Sequence, residues 1–397
     1  MEIRLQRRPS RAPPQSCDEP QAMKTTHEPQ AMNLNGSVPA SRSGGGVMRS
    51  LKLAVLRLLR GGGMFELVAN SRWRQQRLLI LCYHGTSLED EHLWRPGLYI
   101  SRQRLSERFA SLKQRHYTML PLGEALEQLQ AQTLPARSVA LTFDDGTYDF
   151  YRQAYPLLQK FGFPATVYLT TYYSVCERPV FNLICSYMLW QRRGKVIADG
   201  EEIGLPGPLD LRSETGRHRA VRGLIDLTER EGMNGVQKDD LAFRLAGFLE
   251  IDYGALKSKR ILQLMNAREV REIARNRIDI QLHTHRHRVP EDEALFSREI
   301  RENRGHILEL AGVNPVHFCY PGGVYQPAFL PWLRAEQVFS ATTCDSGLCT
   351  RRSESLLLPR FVDSQSRTQL EFESWAAGVG DLLALRRNAA QEYVPRD

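Results

Sequence analysis

The sequence predicts an α/β protein built on a parallel sheet, and three observations carry that expectation. From residue 77 onward, short apolar runs alternate with segments whose apolar residues recur at helical spacing. Two groups of chemistry-bearing side chains, Asp144-Asp145 and His283-Thr284-His285-Arg286-His287, each stand where such a run ends. The apolar fraction of 42% is ample for a core, yet no apolar run reaches the ~20 residues needed to cross a bilayer. The 397 residues suit one large domain or two medium ones.

Residues 1–47 contain no Phe, Trp or Tyr and repeat the phrase EPQAM at 19–23 and 28–32. Rich in Pro, Gly, Ser and Gln, this extension is expected to be disordered, because it has too little apolar surface to offset its ordering entropy. Met48 makes a sensible alternative start. Residues 48–60 (MRSLKLAVLRLLR) read as a short helix stopped by three glycines at 61–63. Arg49, Lys52, Arg57 and Arg60 fall within about 140° of its wheel, with Leu51, Ala54, Val55, Leu58 and Leu59 on the other side. A basic amphipathic helix suits an anionic membrane surface, and it equally suits packing on the domain's own flank.

Residues 77–84 (RLLILCYH) are the first strand, and a helix follows with Leu105, Phe109 and Leu112 on one face. Residues 138–143 (SVALTF), the helix 148–161 and residues 164–171 (PATVYLTT) form a βαβ unit. Further strands are expected at 278–282, 316–320, 339–344 and 356–362. Residues 172–265 are helix-rich and charged, with a hairpin expected around Asp199-Gly200, and read as an insertion or cap. The remainder, 366–397, reads as a helical tail. Strands and helices in this order leave a barrel or a doubly wound sheet open.

The net charge of +8 is confined to the N-terminal part. Residues 1–77 hold thirteen basic and five acidic side chains, and the other 320 residues hold 40 of each. A neutral body does not suit a nucleic-acid partner, even with a pI near 9.2. The seven cysteines are odd in number and lack a close C-x-x-C pair, as expected of reduced thiols. Residues 1–11 are polar and basic, without the apolar region of a secretory signal. The expected location is therefore the cytoplasm, with the inner membrane face reached through 48–60.

Asp144 and Asp145 end the 138–143 strand just before Gly146, where barrel enzymes keep their catalytic groups. On extended backbone the two side chains point different ways, so one can hold a metal while the other faces the reacting atom. A solvated Asp-Asp-Gly turn is the alternative. Three histidines in five residues are harder to explain as packing. His283 and His287 are four apart, so one helical turn brings both imidazoles to one face. His285 is directed elsewhere. With one carboxylate the pair makes an Asp-His-His site suited to Zn²⁺, with Co²⁺, Ni²⁺ or Mn²⁺ as alternatives.

TFDDG at 142–146 followed by His283-Thr284-x-x-His287 resembles the polysaccharide deacetylase (NodB-homology) family of carbohydrate esterases. Tyr83-His84-Gly85, Phe318-x-Tyr320-Pro321-Gly322-Gly323 and Leu358-Pro359-Arg360 add to the resemblance, which covers 77–171 and 266–365. It implies a distorted (β/α) barrel carrying one divalent metal and the removal of N-acetyl, or O-acetyl, groups from a glycan or glycolipid. Carried over by motif, Asp145, His283 and His287 hold the metal and Asp144 is the general base. The backbone N–H of Tyr320 helps hold the tetrahedral oxyanion.

Two departures from the family pattern stand out. The late Leu-x-His motif lacks its histidine here. Members related to the poly-N-acetylglucosamine deacetylases supply the general acid from the early Tyr-His, so the resemblance implies His84 as the candidate. Buttressing of the barrel mouth is its alternative role. Cys319 replaces the usual arginine of the third motif, and Arg360 is the candidate to orient the base in its place. The insertion offers Tyr172, Tyr173, Phe181 and Trp190 for sugar stacking, although aromatics so placed more often belong to a core. Other readings are a catalytically silent sugar-binding member and an amidohydrolase or phosphoesterase barrel, the latter prompted by His283-x-His285.

Overall fold

The structure, a computed structural model, describes residues 45–388 apart from 176 and 198. The extension expected over 1–47 lies outside the described residues as far as residue 44, as do Cys17, Cys176 and residues 389–397 of the tail. The first helix starts at Gly45, three residues before Met48.

Eight strands form one parallel sheet: β1 (Leu79–Tyr83), β2 (Thr118–Met119), β3 (Ser138–Phe143), β4 (Ala165–Leu169), β5 (Ile278–Leu282), β6 (His317–Cys319), β7 (Ser340–Thr342) and β8 (Phe361–Val362). Their order is β7-β6-β5-β4-β3-β1-β8, with β2 beside β3. Strand β3 meets β1 from Val139 to Phe143. On its other edge Ser138 and Val139 pair with β2, and Thr142 and Phe143 pair with β4. The sheet thus opens at its base, and the Leu122–Ala131 helix fills the gap by packing Leu122, Leu126 and Leu129 near Ile80, Ala140 and Tyr168.

Residues 355–358 run along the free edge of β7, where the N–H of Leu358 donates to Ala341 and that of Thr343 donates to Leu358. The same stretch continues into β8 against β1. One segment therefore links both edges of the curled sheet, giving the distorted barrel. The expected strand 356–362 is broken at Pro359-Arg360, because Pro359 has no N–H to donate to a ladder.

Alternation along the strands separates two environments. Leu79, Leu81, Tyr83, Leu141, Phe143, Val167 and Ile280 pack outward against Leu105, Phe109, Phe150, Ile273 and Phe296 of the surrounding helices. The alternate positions include Cys82, Thr142, Thr166, Tyr168, Gln281 and Cys319, all buried. A buried ion pair ties the wall together: Arg108 Nε lies 2.9 Å from Asp363 Oδ2, which also accepts from the Tyr83 hydroxyl at 3.1 Å.

The insertion has an apolar core of its own, built from the Phe181–Gln191, Glu214–Arg230 and Gly235–Phe248 helices and joined by Trp94 and Tyr99. Its hairpin pairs Val196–Ile197 with Leu209–Asp210, so the connection is longer than a turn at Asp199-Gly200. The reason is burial: Ile203 and Leu205 in that connection are 1% and 4% exposed. Trp190 is buried in the same core and is not open for sugar stacking, while Phe181 packs against that core half-buried. The tail forms two helices, Gln369–Ala377 and Val379–Asn388, against which the first helix packs through Leu56. Among the described residues no helix is long and apolar enough to cross a membrane.

Candidate active site

Asp144 and Asp145 follow β3 at the barrel mouth. Asp144 remains in the ladder, its N–H donating to the Tyr83 carbonyl at 2.9 Å. Asp145 then adopts a left-handed backbone, with φ +71°, which non-glycine residues rarely do. The chain turns so sharply here that Gly146 is required: φ is +76°, and a Cβ would lie 2.3 Å from Leu169 Cδ1. The turn aims the two carboxylates apart.

Asp145 Oδ1 lies 3.1 Å from His283 Nε2 and 3.2 Å from His287 Nε2. The expected helical turn between the histidines is not what joins them. Residues 283–287 are a loop with Thr284 at φ +61° and His287 at φ +56°, pinned by Asn303 Oδ1 accepting from His283 N–H at 2.9 Å and Thr284 Oγ1 accepting from Arg288 N–H at 3.0 Å. Carbonyl and side-chain acceptors thus replace the i→i+4 ladder. His283 Nδ1 donates to the Cys319 carbonyl at 2.8 Å, which leaves its Nε2 lone pair facing Asp145. Three ligand atoms, two of them imidazole nitrogens, converge within 4.8 Å. Two lone pairs and a carboxylate aimed at one point fit a divalent cation.

His285 turns away. Its Nδ1 is 2.8 Å from Thr171 Oγ1 and its ring stacks on His306 at 4.7 Å, and burial with the nearby Arg286 pushes it down to about 3. His283-x-His285 therefore does not form a chelating pair, which removes the observation behind the amidohydrolase reading.

Asp144 is held from below. Arg360, fully buried just before β8, donates Nη1 to Oδ1 and Nη2 to Oδ2, each at 2.8 Å. Burial alone raises the Asp144 carboxyl, but the Arg360 guanidinium outweighs it and, with His84 and His283 nearby, holds the group well below the usual carboxylate range. Arg360 is in turn fixed by donating Nε to the Thr343 carbonyl at 2.9 Å. Cys319 leaves room for this: its sulfur is 3.2 Å from Arg360 Nη2. The thiols of Cys82 and Cys319 each point at Asp144 Oδ2 from 3.5 Å. Burial pushes the Cys82 thiol far up, so it is a proton donor here. On the remaining side His84 Nε2 lies 3.5 Å from Asp144 Oδ2. Burial lowers the His84 imidazole despite the neighbouring Asp144.

The expectation for Tyr320 is corrected. Its backbone N–H donates to the Thr342 carbonyl at 3.2 Å, extending the pairing of β6 with β7, so it is not free for an oxyanion. Its side chain is buried and its hydroxyl donates to the Leu356 carbonyl at 3.0 Å.

Sequence reasoning missed Asp149, which nothing in the pattern separates from a polar helix start. Its Oδ1 accepts from Thr86 N–H at 2.9 Å and Thr147 Oγ1 at 2.8 Å, tying the loop after β1 to the loop after β3. Burial, with the charges of Glu91 and Asp145, pushes its carboxyl up to about 8 in spite of those donors. The unfolded chain releases this proton near pH 3.9, so the folded state carries an extra proton between that value and about 8. The stability it contributes is full below the unfolded pKa and is lost as pH rises through the folded one. Asp149→Asn keeps the acceptor without the charge. Its melting temperature is expected to fall less steeply than wild type between pH 6 and pH 9, and equal slopes would refute the assignment.

The polysaccharide deacetylase family profile matches residues 131–205 and 255–337, the two stretches that flank most of the insertion. The poly-β-1,6-N-acetyl-D-glucosamine N-deacetylase of Escherichia coli (strain K12) is 31% identical over 101 residues, 25% of this chain and 15% of that protein. The chain thus spans a small part of the length of that curated relative. The solved structure of the Streptococcus pyogenes deacetylase PplD in complex with acetate shares the fold, with a TM-score of 0.50 at 17% identity, covering 76% of this chain and 98% of that one. The profile match takes in both the Asp144-Asp145 turn and the histidine loop, so it is over the site-bearing stretches that the chain is similar to polysaccharide deacetylases, on a fold shared with a solved deacetylase.

Proposed function

We propose that this protein hydrolyses N-acetyl groups on a polymer or oligomer of N-acetylglucosamine, or on a related acetylated glycan or glycolipid. One observation carries the reading: an ionised carboxylate, Asp144, is held by Arg360 within 4.8 Å of a ring nitrogen of the His283 that also faces Asp145. Base and candidate metal site are thus adjacent and separately anchored. A divalent ion held by Asp145, His283 and His287, Zn²⁺ first among those the donors suit, supplies polarisation of the acetyl carbonyl and of a water.

The chain's own residues do the rest. Asp144 takes the water's proton, its geometry fixed by the two Arg360 donors. His84, 3.5 Å from Asp144 Oδ2, takes that proton over from Asp144 and delivers it to the departing amine. The neutral body of the protein, outside residues 1–77, suits an uncharged sugar chain.

The test is acetate release from poly-β-1,6-N-acetylglucosamine and from chito-oligosaccharides by protein loaded with Zn²⁺ or Co²⁺. Release is expected from at least one polymer, and His84→Ala is expected to lower it by about 10²-fold while leaving oligosaccharide binding in place. Binding without acetate release by the metal-loaded wild type would move the protein to the silent sugar-binding class.

A further inference from the structure

The Gly45–Gly61 helix docks on its own domain with its charged side. Leu56 is fully buried against Phe65, Val68, Ala377 and Val379, with Leu59 half-buried beside it. From the same side Arg49 and Lys52 reach Glu371, and Arg60 reaches Glu373. At 100° per residue Met48, Leu51, Val55 and Leu58 fall within about 80° of one another on the other side. They are 64%, 59%, 39% and 76% exposed. The next helix, Met64–Ala69, adds Leu67 at 68%. A helix packed only to complete a core buries such a stripe; this one presents it to solvent.

We propose that this face seats on a bilayer surface rich in anionic lipid. Charge favours that occupant. Residues 48–77 carry seven basic side chains and one acidic; Arg74 is buried, Arg49 and Lys52 share Glu371, Arg60 pairs with Glu373, and the acidic Glu66 is paired with Arg115 and Arg137. Arg57 is exposed and has no ion pair among the described residues, and the Arg49, Lys52 and Arg60 side chains remain about half exposed at the edge of the stripe. An apolar stripe bordered by cations is the pattern of an interfacial helix. A second copy of the chain fits less well, because Met48 to Leu58 spans under two heptads before the glycines at 61–63, and a coiled coil needs three or more. The Arg49 end bonds to the Ser366 carbonyl beyond β8, while Arg60 reaches Glu373 beside Arg115 at the opposite end of the wall. The helix therefore lies along the barrel flank, and the flank, not the mouth, meets the lipid.

The experiment is flotation of the full chain with vesicles of phosphatidylglycerol and phosphatidylethanolamine, and with phosphatidylcholine alone. Co-flotation with the anionic vesicles is expected, weakened several-fold on phosphatidylcholine and at least tenfold in a Leu51→Ser/Leu58→Ser double variant. Both side chains are exposed, so the variant should melt with wild type. Three results overturn the proposal: no vesicle binding, equal flotation of the variant, or a lipid-free dimer that the double variant dissociates. The last puts a second copy on this face.

Discussion

His283→Ala is expected to abolish bound metal and to lower acetate release by at least 10³-fold, with both losses measured on one preparation by elemental analysis and kinetics. The geometry singles out His283 among the three candidate ligands. It is 1% exposed, its backbone N–H is held by Asn303, and its Nδ1 is spent on the Cys319 carbonyl. Burial disfavours its imidazolium, but the Cys319 sulfur and the Asp145 carboxylate outweigh this and hold its pKa well above the usual histidine range. A proton and an ion compete for the same Nε2, so a raised imidazole makes metal uptake release protons. Ion affinity should weaken as pH falls, and titration calorimetry in buffers of differing ionisation enthalpy should detect proton release on binding. Metal-free wild type should be inactive and regain activity with Zn²⁺ or Co²⁺. Full activity after exhaustive chelation would remove the metal from the mechanism.

The parts of this site that share a short stretch of chain were legible in the sequence. Asp144-Asp145-Gly146 and the histidine group each announce themselves by residue type at a strand end. β3 and β5 run over the residues their apolar patterns predict. What joins them was not legible. The loop from His283 to His287 depends on left-handed backbone at Thr284 and His287, conformations that side-chain type does not dictate. Asn303, which holds the loop, is twenty residues away on the Glu293–Ala311 helix. The short strand β2 has only two residues and no periodicity to read. Tyr320 shows the converse error: its motif is present, yet the β6–β7 register takes up the amide that the motif promised. The amphipathic helix was also legible, but which of its faces the body would hold depended on Glu371 and Glu373, more than 300 residues further along.

Arg360→Met tests the substitution that most separates this chain from the pattern it resembles. The Asp144–Arg360 pair spans 216 residues of sequence and is 2% and 0% exposed at its two side chains. Removing the guanidinium leaves a buried carboxylate without its partner, so a loss of about 3–5 kcal/mol in folding stability is expected by denaturant titration. Burial, no longer opposed, then raises the Asp144 carboxyl, and a base that is protonated at neutral pH cannot accept a proton. Turnover at pH 7 should fall by about 10²- to 10³-fold. A purely structural role predicts a uniform loss across pH. A positioning role predicts that the acid limb of the kcat profile moves to higher pH, so that part of the lost rate returns in alkali. Metal content should stay at wild-type level, because Arg360 makes no hydrogen bond to Asp145, His283 or His287 among the described residues. Arg360→Lys keeps the charge but not the two-pronged geometry, and its rate should fall between the two. Unchanged turnover in the Met variant would mean that Cys82, Cys319 and His84 orient the base without it.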